Sequence, residues 1–358
     1  MMKFRAVCLV VFVALLAATP ARALVILQYH HISDATPPST STSPALFRQH
    51  LDLIAESGFD VVPLETVTTR LRNGQPLPDM AVLITFDDSY ASIHDTAFPL
   101  LKARGWPFVV FANTGPVGTG GDFLSWEDYR EMAAGGAAIA NHSVRHTHFA
   151  RRPEDVSERQ WRQRLREELL AAESAIEREV GQSHRVLAFP YGEYDATVLD
   201  VLQELGFLGM SQASGAVRSA DALAMPRFPM GGRFGRVDNF MLKLRALPLP
   251  LASTTLATET GEELADGVLP LGVERPLLTL VLPSNALAQA LQCYASGQLE
   301  PISREIVGAS ITVQADRPLP AGRSRYNCTA RDPDSGRYHW YSQPFLRRND
   351  KGQYPPEA

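Results

Sequence analysis

The stretch Ala81-Val82-Leu83-Ile84-Thr85-Phe86-Asp87-Asp88-Ser89 is a short apolar run, rich in strand formers, that stops on two adjacent carboxylates. A run without polar alternation is a strand buried on both faces, as in parallel sheets. Open and closed α/β sheets both place their chemistry at the C-terminal ends of such strands. A buried Asp-Asp end is costly unless something neutralises it. Further on, the apolar segment Ala137 to Ala140 leads into Asn141-His142-Ser143-Val144-Arg145-His146, and two histidines four apart can face one way on a helical turn. Together the two segments can hold one metal ion and keep a base beside it, as an open-sided hydrolytic site requires. Alone, the carboxylates read as a solvated turn and the histidines as surface or core residues. Their order, each after an apolar run, is what gives them weight.

Outward from these segments the chain alternates strand and helix signals. Leu24 to Tyr29 is a strand feeding His30-His31 and the Pro-rich loop Ser33 to Pro44. Ser43-Pro44 opens a helix with Leu46, Phe47, His50, Leu51 and Ile54 at helical spacing, stopped by Gly58. Val61-Val62, Ala81 to Phe86, Phe108 to Ala112, Ala137 to Ala140 and Val186 to Phe189 are further strands. Ile93 to Arg104, Trp126 to Ala134, Val156 to Val180 and Thr197 to Leu205 are helices, the third so rich in Arg and Glu that its charges read as a solvated face. This alternation implies a parallel sheet or barrel.

From Ala246 the texture changes to Pro, Leu, Thr and Ser. Leu277 to Leu282, Leu291 to Tyr294, Ser310 to Gln314, Tyr326 to Thr329 and Tyr338 to Ser342 are short strands between turn residues, the pattern of a small β-sandwich. Its aromatics, Tyr294, Tyr326, Tyr338, Trp340 and Tyr341, either fill that core or face a sugar. Asn349 to Ala358 is the one stretch expected to be disordered. The division is residues 1–23 signal, 24–245 catalytic-type domain and 246–358 β-rich domain.

Lys3 and Arg5, the apolar run Ala6 to Ala18 and Ala21-Arg22-Ala23 form an export signal, and Cys8 sits in the run rather than after a small-residue lipobox, so the expected location is periplasmic or secreted. Cleavage leaves two of the three cysteines. In an exported chain Cys293 and Cys328 suggest a disulfide, two buried thiols being the alternative. The net charge of −5, with no basic block or further apolar span, argues against nucleic acid and stable membrane insertion.

Thr85-Phe86-Asp87-Asp88 and His142-Ser143-Val144-Arg145-His146 resemble the first two motifs of the NodB-like polysaccharide deacetylases, carbohydrate esterase family 4, and Pro190-Tyr191-Gly192 matches the core of the third. The resemblance covers about Val25 to Phe234. It implies a distorted (β/α) barrel, which suits a chain with fewer clear units than the eight of a regular one. It also implies Asp88, His142 and His146 as metal ligands, Asp87 as general base and the Tyr191 backbone N–H as an oxyanion donor. Zinc suits two imidazoles and a carboxylate, with nickel, cobalt or manganese as alternatives. Asp87 has a second reading, as the group that orients a ligand histidine.

The chain departs from the family pattern twice. Ala188 replaces the Arg that opens the third motif, so Arg227, in Met225-Pro226-Arg227-Phe228-Pro229, is the candidate to orient the base. No late Leu-x-x-x-His segment brings a general acid. Gln28-Tyr29-His30-His31 resembles instead the poly-β-1,6-N-acetylglucosamine deacetylase branch, whose permuted motif order takes the acid from an early Tyr-His. That implies His30, with His31 as the alternative and a structural strand-end histidine as the plain reading. His148 is expected near the ligands or on the surface, not as a fourth ligand. The expected function is an exported, metal-dependent hydrolase that removes N-acetyl groups from a β-linked N-acetylglucosamine polymer, an exopolysaccharide. Peptidoglycan or chitin as substrate, or a non-catalytic carbohydrate-binding protein on the same fold, are the competing readings.

Overall fold

The computed structural model describes residues 23–356, so the expected signal, apart from Ala23, lies outside the described residues. β1 (Leu24–Tyr29) is buried at every position, and the two-residue strands β2 (His31–Ile32) and β3 (Ser41–Thr42) pair with each other just beyond it. α1 (Pro44–Glu56) begins where the Ser43 side chain accepts the Leu46 N–H, and it buries Phe47, Leu51 and Ile54. After β4 (Asp60–Val61) and α2 (Leu64–Arg72) comes β5 (Ala81–Asp87), buried throughout. β5 runs parallel to β1 from Leu24↔Ala81 to Tyr29↔Phe86. Then follow α3 (Phe98–Lys102), β6 (Phe108–Ala112), α4 (Trp126–Ala134), β7 (Ala137–Asn141), α5 (Glu158–Val180), β8 (Val186–Ala188), α6 (Ala196–Glu204) and β9 (Leu208–Met210). Ser125 and Ser157 close capping boxes at the starts of α4 and α5.

Parallel strands need crossovers, and the helices supply them. The sheet order is β1-β5-β6-β7-β8-β9, all parallel. β10 (Ala216–Val217) pairs antiparallel with the start of β1, and β11 (Phe228–Pro229) pairs parallel with its end. A parallel bridge from Met210 to Met225 carries the curled sheet round toward β11. The result is a distorted (β/α) barrel. Alternate residues split between two cores: Ile26, Leu83, Val109, Phe111, Ala188, Met210 and Met225 cluster inside, while Leu27, Tyr29, Ile84, Phe86 and Val110 pack with α1, α4 and α7 (Val237–Leu244).

Several elements differ from the sequence expectation. The helix expected over 93–104 opens as a π-helical turn, Ile93–Ala97, and the strand expected at Val61-Val62 lies one residue earlier, at Asp60–Val61. α2 gave no helical signal because Thr66, Val67, Thr68 and Thr69 are β-branched, residues of low helix propensity. Burial of Leu64 and Val67 against the barrel overrides that preference. The charges of α5 are not all solvated: Glu168 and Glu173 are buried. They fall on the apolar stripe of Leu165, Leu169, Ala172 and Ile176, so the position, not the residue type, carried the information.

The C-terminal region forms two sheets. One has the order β12 (Leu247–Pro248), β20 (Tyr338–Arg347), β19 (Gly322–Arg331), β16 (Gln292–Ala295). The other has β14 (Glu263–Leu264), β13 (Ser253–Ala257), β15 (Leu277–Val281), β18 (Ser310–Gln314), β17 (Ser303–Val307), and α8 (Asn285–Ala290) connects the two. Leu278, Leu280, Ile311 and Val313 of one sheet meet Tyr326, Cys328 and Phe345 of the other. β13 and β17 are mostly exposed, which is why hydrophobic pattern missed them. Cys293 and Cys328 face each other across β16 and β19 and are bonded. Trp340 leaves the sandwich core and packs edge-on against Phe228 of the barrel at 5.0 Å. Contrary to the expected disorder after Asn349, the Asn349 side chain accepts the N–H groups of Lys351 and Gln353, and Tyr354 lies 4.8 Å from the Arg151 guanidinium.

Candidate metal and catalytic site

The ends of β5, β7 and β8 deliver Asp88, His142 and Tyr191 to one rim of the barrel. Asp88 Oδ1 lies 3.4 Å from His142 Nε2 and 3.4 Å from His146 Nε2. A tetrahedral ion with ligand bonds of about 2.0–2.1 Å separates its donors by about 3.3–3.4 Å, which these two distances match, and all three donor atoms lie within 4.8 Å of one another, a set able to hold one ion. The tautomer fits as well. His142 Nδ1 bonds the Ala188 carbonyl oxygen at 2.8 Å and must be the donor there, so Nε2 meets the carboxylate oxygen either bare, with a cation between them, or protonated; burial would lower the His142 pKa, but with no ion the Asp88 contact outweighs it and raises it. Two acceptors face each other stably only across a proton or a cation. Burial lowers the His146 pKa to about 4, His142 adding to the effect, which keeps that ring neutral. Burial would raise the Asp88 carboxyl, but the His142 contact outweighs it and holds it well below the usual range.

Backbone strain gathers at this rim. Asp88, Ser143, His146 and Tyr191 have φ of 66°, 68°, 54° and 59°, a left-handed conformation that costs side-chain-bearing residues about 1–3 kcal/mol each. Side chains beneath hold the histidine turn in that shape. Asn141 Oδ1 accepts the Ser143 N–H at 2.9 Å, while its Nδ2 donates to Leu169 O and Glu173. Glu168 Oε1 accepts the N–H groups of Val144 and Arg145 at 3.2 and 2.6 Å.

Asp87 is fully buried inside the barrel. Arg227 Nη1 and Nη2 donate to its two oxygens at 2.6 and 2.8 Å, and Gln28 Nε2 donates at 2.6 Å. Burial alone would push this carboxyl up; the Arg227 guanidinium, with His142, holds it below the usual range. Arg227 is itself buried and braced by Ser211 O at 2.9 Å. A bidentate Arg both charges and orients a carboxylate. The motif-position Arg replaced by Ala188 is thus answered, in space, by a guanidinium from the segment that closes the barrel.

The rim opens into a cleft lined by His30, Tyr90, Phe123, Tyr191, Phe234 and Arg323 together with Asp88 and His146. His30 is half-buried on that surface. His31 is buried, its ring stacked at 3.6 Å on Tyr90, and burial with the neighbouring His30 lowers its pKa. Tyr191 sits in the turn Pro190–Gly192, and His148 stacks on its ring at 3.8 Å while bonding Glu193 at 3.0 Å. Sequence reasoning missed Gln28, Glu168, Glu193 and Arg323 as parts of this assembly. Gln28 left a signal, a polar residue inside an otherwise apolar buried strand; Arg323 left none.

Residues 74–210 match the polysaccharide deacetylase family. The chain is similar to the poly-β-1,6-N-acetyl-D-glucosamine N-deacetylase of Escherichia coli K12, 24% identical over 246 residues that cover 58% of this chain and 36% of that protein. The chain therefore spans about a third of the length of this curated relative. In structure it is similar to IcaB from Ammonifex degensii, with 28% identity and a TM-score of 0.54 over 62% of this chain and 94% of that one. The Streptococcus pyogenes deacetylase PplD, solved in complex with acetate, shares the fold at 24% identity and a TM-score of 0.53, over 60% of this chain and 94% of that one. By the family match over its central strands and the barrel it shares with these structures, the chain carries a domain of the polysaccharide deacetylase family.

Proposed function

We propose that this protein is an exported, metal-dependent deacetylase that removes N-acetyl groups from a β-linked N-acetylglucosamine exopolysaccharide. One observation carries the reading: three donors able to hold one ion stand beside a separate, Arg-clamped carboxylate on an open cleft. A non-catalytic carbohydrate-binding surface needs the cleft but neither the donor set nor the clamped base. Asp88, His142 and His146 would hold a divalent ion, which would supply Lewis acidity for activating water and polarising the acetyl group.

The chain's own residues do the rest. Asp87, kept ionised and oriented by Arg227 and Gln28, takes a proton from water as its oxygen bonds the acetyl carbon. The Tyr191 backbone N–H faces the negative charge that develops on the acetyl oxygen. The C–N bond then breaks, His30 gives its proton to the departing amine, and acetate leaves. His30 is preferred to His31 because it lines the cleft while His31 is stacked beneath Tyr90.

Export is supported by the N-terminal sequence and by the Cys293–Cys328 bond. No helix among the described residues is long and apolar enough to cross a membrane. The domain division near residue 245 is supported by the separate cores of barrel and sandwich. The test is acetate release from poly-β-1,6-N-acetylglucosamine, chitin oligosaccharides and peptidoglycan, with and without a chelator. Release confined to the first glycan and abolished by the chelator is expected. Release only from the others changes the substrate, and chelator-resistant release removes the metal.

A further inference from the structure

Tyr191 keeps a left-handed backbone, φ 59° and ψ 2°, which persists only where surroundings over-determine it. From the barrel side its ring is held against His148 and His146, with centroids at 3.8 and 4.5 Å. Gly192 follows with φ 70°, and a Cβ there would lie 2.6 Å from Gln212 Cβ, so the turn has no room to shift that way. A further restraint arrives from the far end of the chain. On β19, Arg323 and Arg325 point to the outer face of their sheet, alternating with core residues. Arg323 Nη1 donates to the Tyr191 carbonyl oxygen at 2.8 Å, and its guanidinium lies 5.6 Å from the Tyr191 ring centroid. Its Nε lies 3.9 Å from Glu193 Oε1, on a carboxylate also held by Arg151 and His148. Arg325 donates to Gln212 O at 3.3 Å.

The sheet that carries these arginines is fixed to the barrel. Trp340 of β20 packs edge-on against Phe228 of β11 at 5.0 Å, and Ser342 Oγ donates to Ser214 O at 2.6 Å. With both ring and carbonyl held, Tyr191 cannot leave the left-handed region without giving up one contact.

We propose that Arg323 is a positioning residue: the C-terminal sandwich supplies it across the cleft to hold Tyr191 in the conformation that presents its backbone N–H to the acetyl oxygen. The inference rests on the deacetylase reading above. The site is then complete only with the sandwich in place, and the sandwich acts as a wall of the cleft. The Arg323 side chain is 40% exposed, so its loss costs the fold little, and lost activity is separable from unfolding.

The experiment compares full-length wild type, Arg323→Ala and Arg323→Lys by hydrogen exchange, zinc affinity, melting temperature and acetate-release kinetics. Arg323→Ala is expected to speed exchange over residues 190–193 while β19 and β20 exchange as before. Its kcat should fall about tenfold or more, the scale for losing a supporting contact, with KM, zinc affinity and melting temperature unchanged. Arg323→Lys, which can still donate to the carbonyl, should recover much of both effects. Unchanged exchange at 190–193, or wild-type kcat in Arg323→Ala, overturns the proposal. So does a loss of kcat that tracks zinc affinity or melting temperature. If wild type releases no acetate from any glycan, the deacetylase reading falls, and the exchange arm still decides whether Arg323 holds the turn.

Discussion

Asp87 and Asp88 are neighbours in sequence with opposite environments: one clamped by Arg227 in the barrel interior, the other beside two imidazoles at the rim. Asp87→Asn removes a proton acceptor without touching the donor set. It is expected to lower kcat at least about a hundredfold with metal content unchanged, and to destabilise the fold by about 3 kcal/mol because Arg227 stays buried without its counter-charge. Acetate release, metal analysis and urea unfolding read the three outcomes; a loss of metal instead would make Asp87 a ligand. His30→Ala should lower kcat on a similar hundredfold scale at constant metal content. A dead His31→Ala beside an active His30→Ala would move the acid role to His31. At this scale the residue types were legible because Asp-Asp and His-x-x-x-His are local patterns. The Arg227 clamp was legible only as a candidate, since 140 residues separate it from Asp87.

Two elements support the site from below, and each can be tested apart from the chemistry. Helix α5 grips the histidine turn through Glu168, which accepts two backbone N–H groups. Glu168→Ala leaves those donors without their acceptor and should weaken zinc binding about tenfold to a hundredfold, as loss of ligand-supporting contacts does, measured by calorimetry. Helix α1 carries His50, buried between the Tyr29 hydroxyl at 3.0 Å and Gly235 O, and stacked at 4.1 Å on Phe240. Burial lowers its pKa from 6.5 to about 4. The folded state therefore binds fewer protons than the unfolded chain between those values. The stabilisation is complete above pH 6.5 and is lost as pH falls toward 4, on the order of 3 kcal/mol in all. Urea unfolding from pH 7 to 4 should show this slope in wild type and a shallower one in His50→Gln; equal slopes would remove His50 as the cause. α5 also shows why part of the support went unread. A mostly charged helix looks solvated, and only the register of Glu168 and Glu173 on its apolar stripe reveals their burial.

The molecule as a whole joins a curled parallel sheet to a sandwich stapled by Cys293–Cys328 across adjacent strands. Replacing both cysteines by serine should destabilise the sandwich by about 2–4 kcal/mol through loss of loop closure in the unfolded chain. Two calorimetric transitions, with only one shifted, are expected; a single transition moving as a unit would show that barrel and sandwich unfold together. Read alone, the chain dictates the alternating strands and helices, the two motif segments at strand ends and the cysteine pair, because periodicity, burial on both faces and short motifs are written in neighbouring residues. Only the tertiary structure decided that the segment from Met225 to Pro229 completes the sheet and lays Arg227 on Asp87, that His30 and not His31 faces the cleft, and that Arg323 reaches Tyr191 across 132 residues. Those contacts depend on how far the sheet curls and where the sandwich docks. Both follow from the packing of many distant side chains at once, so no local pattern encodes them.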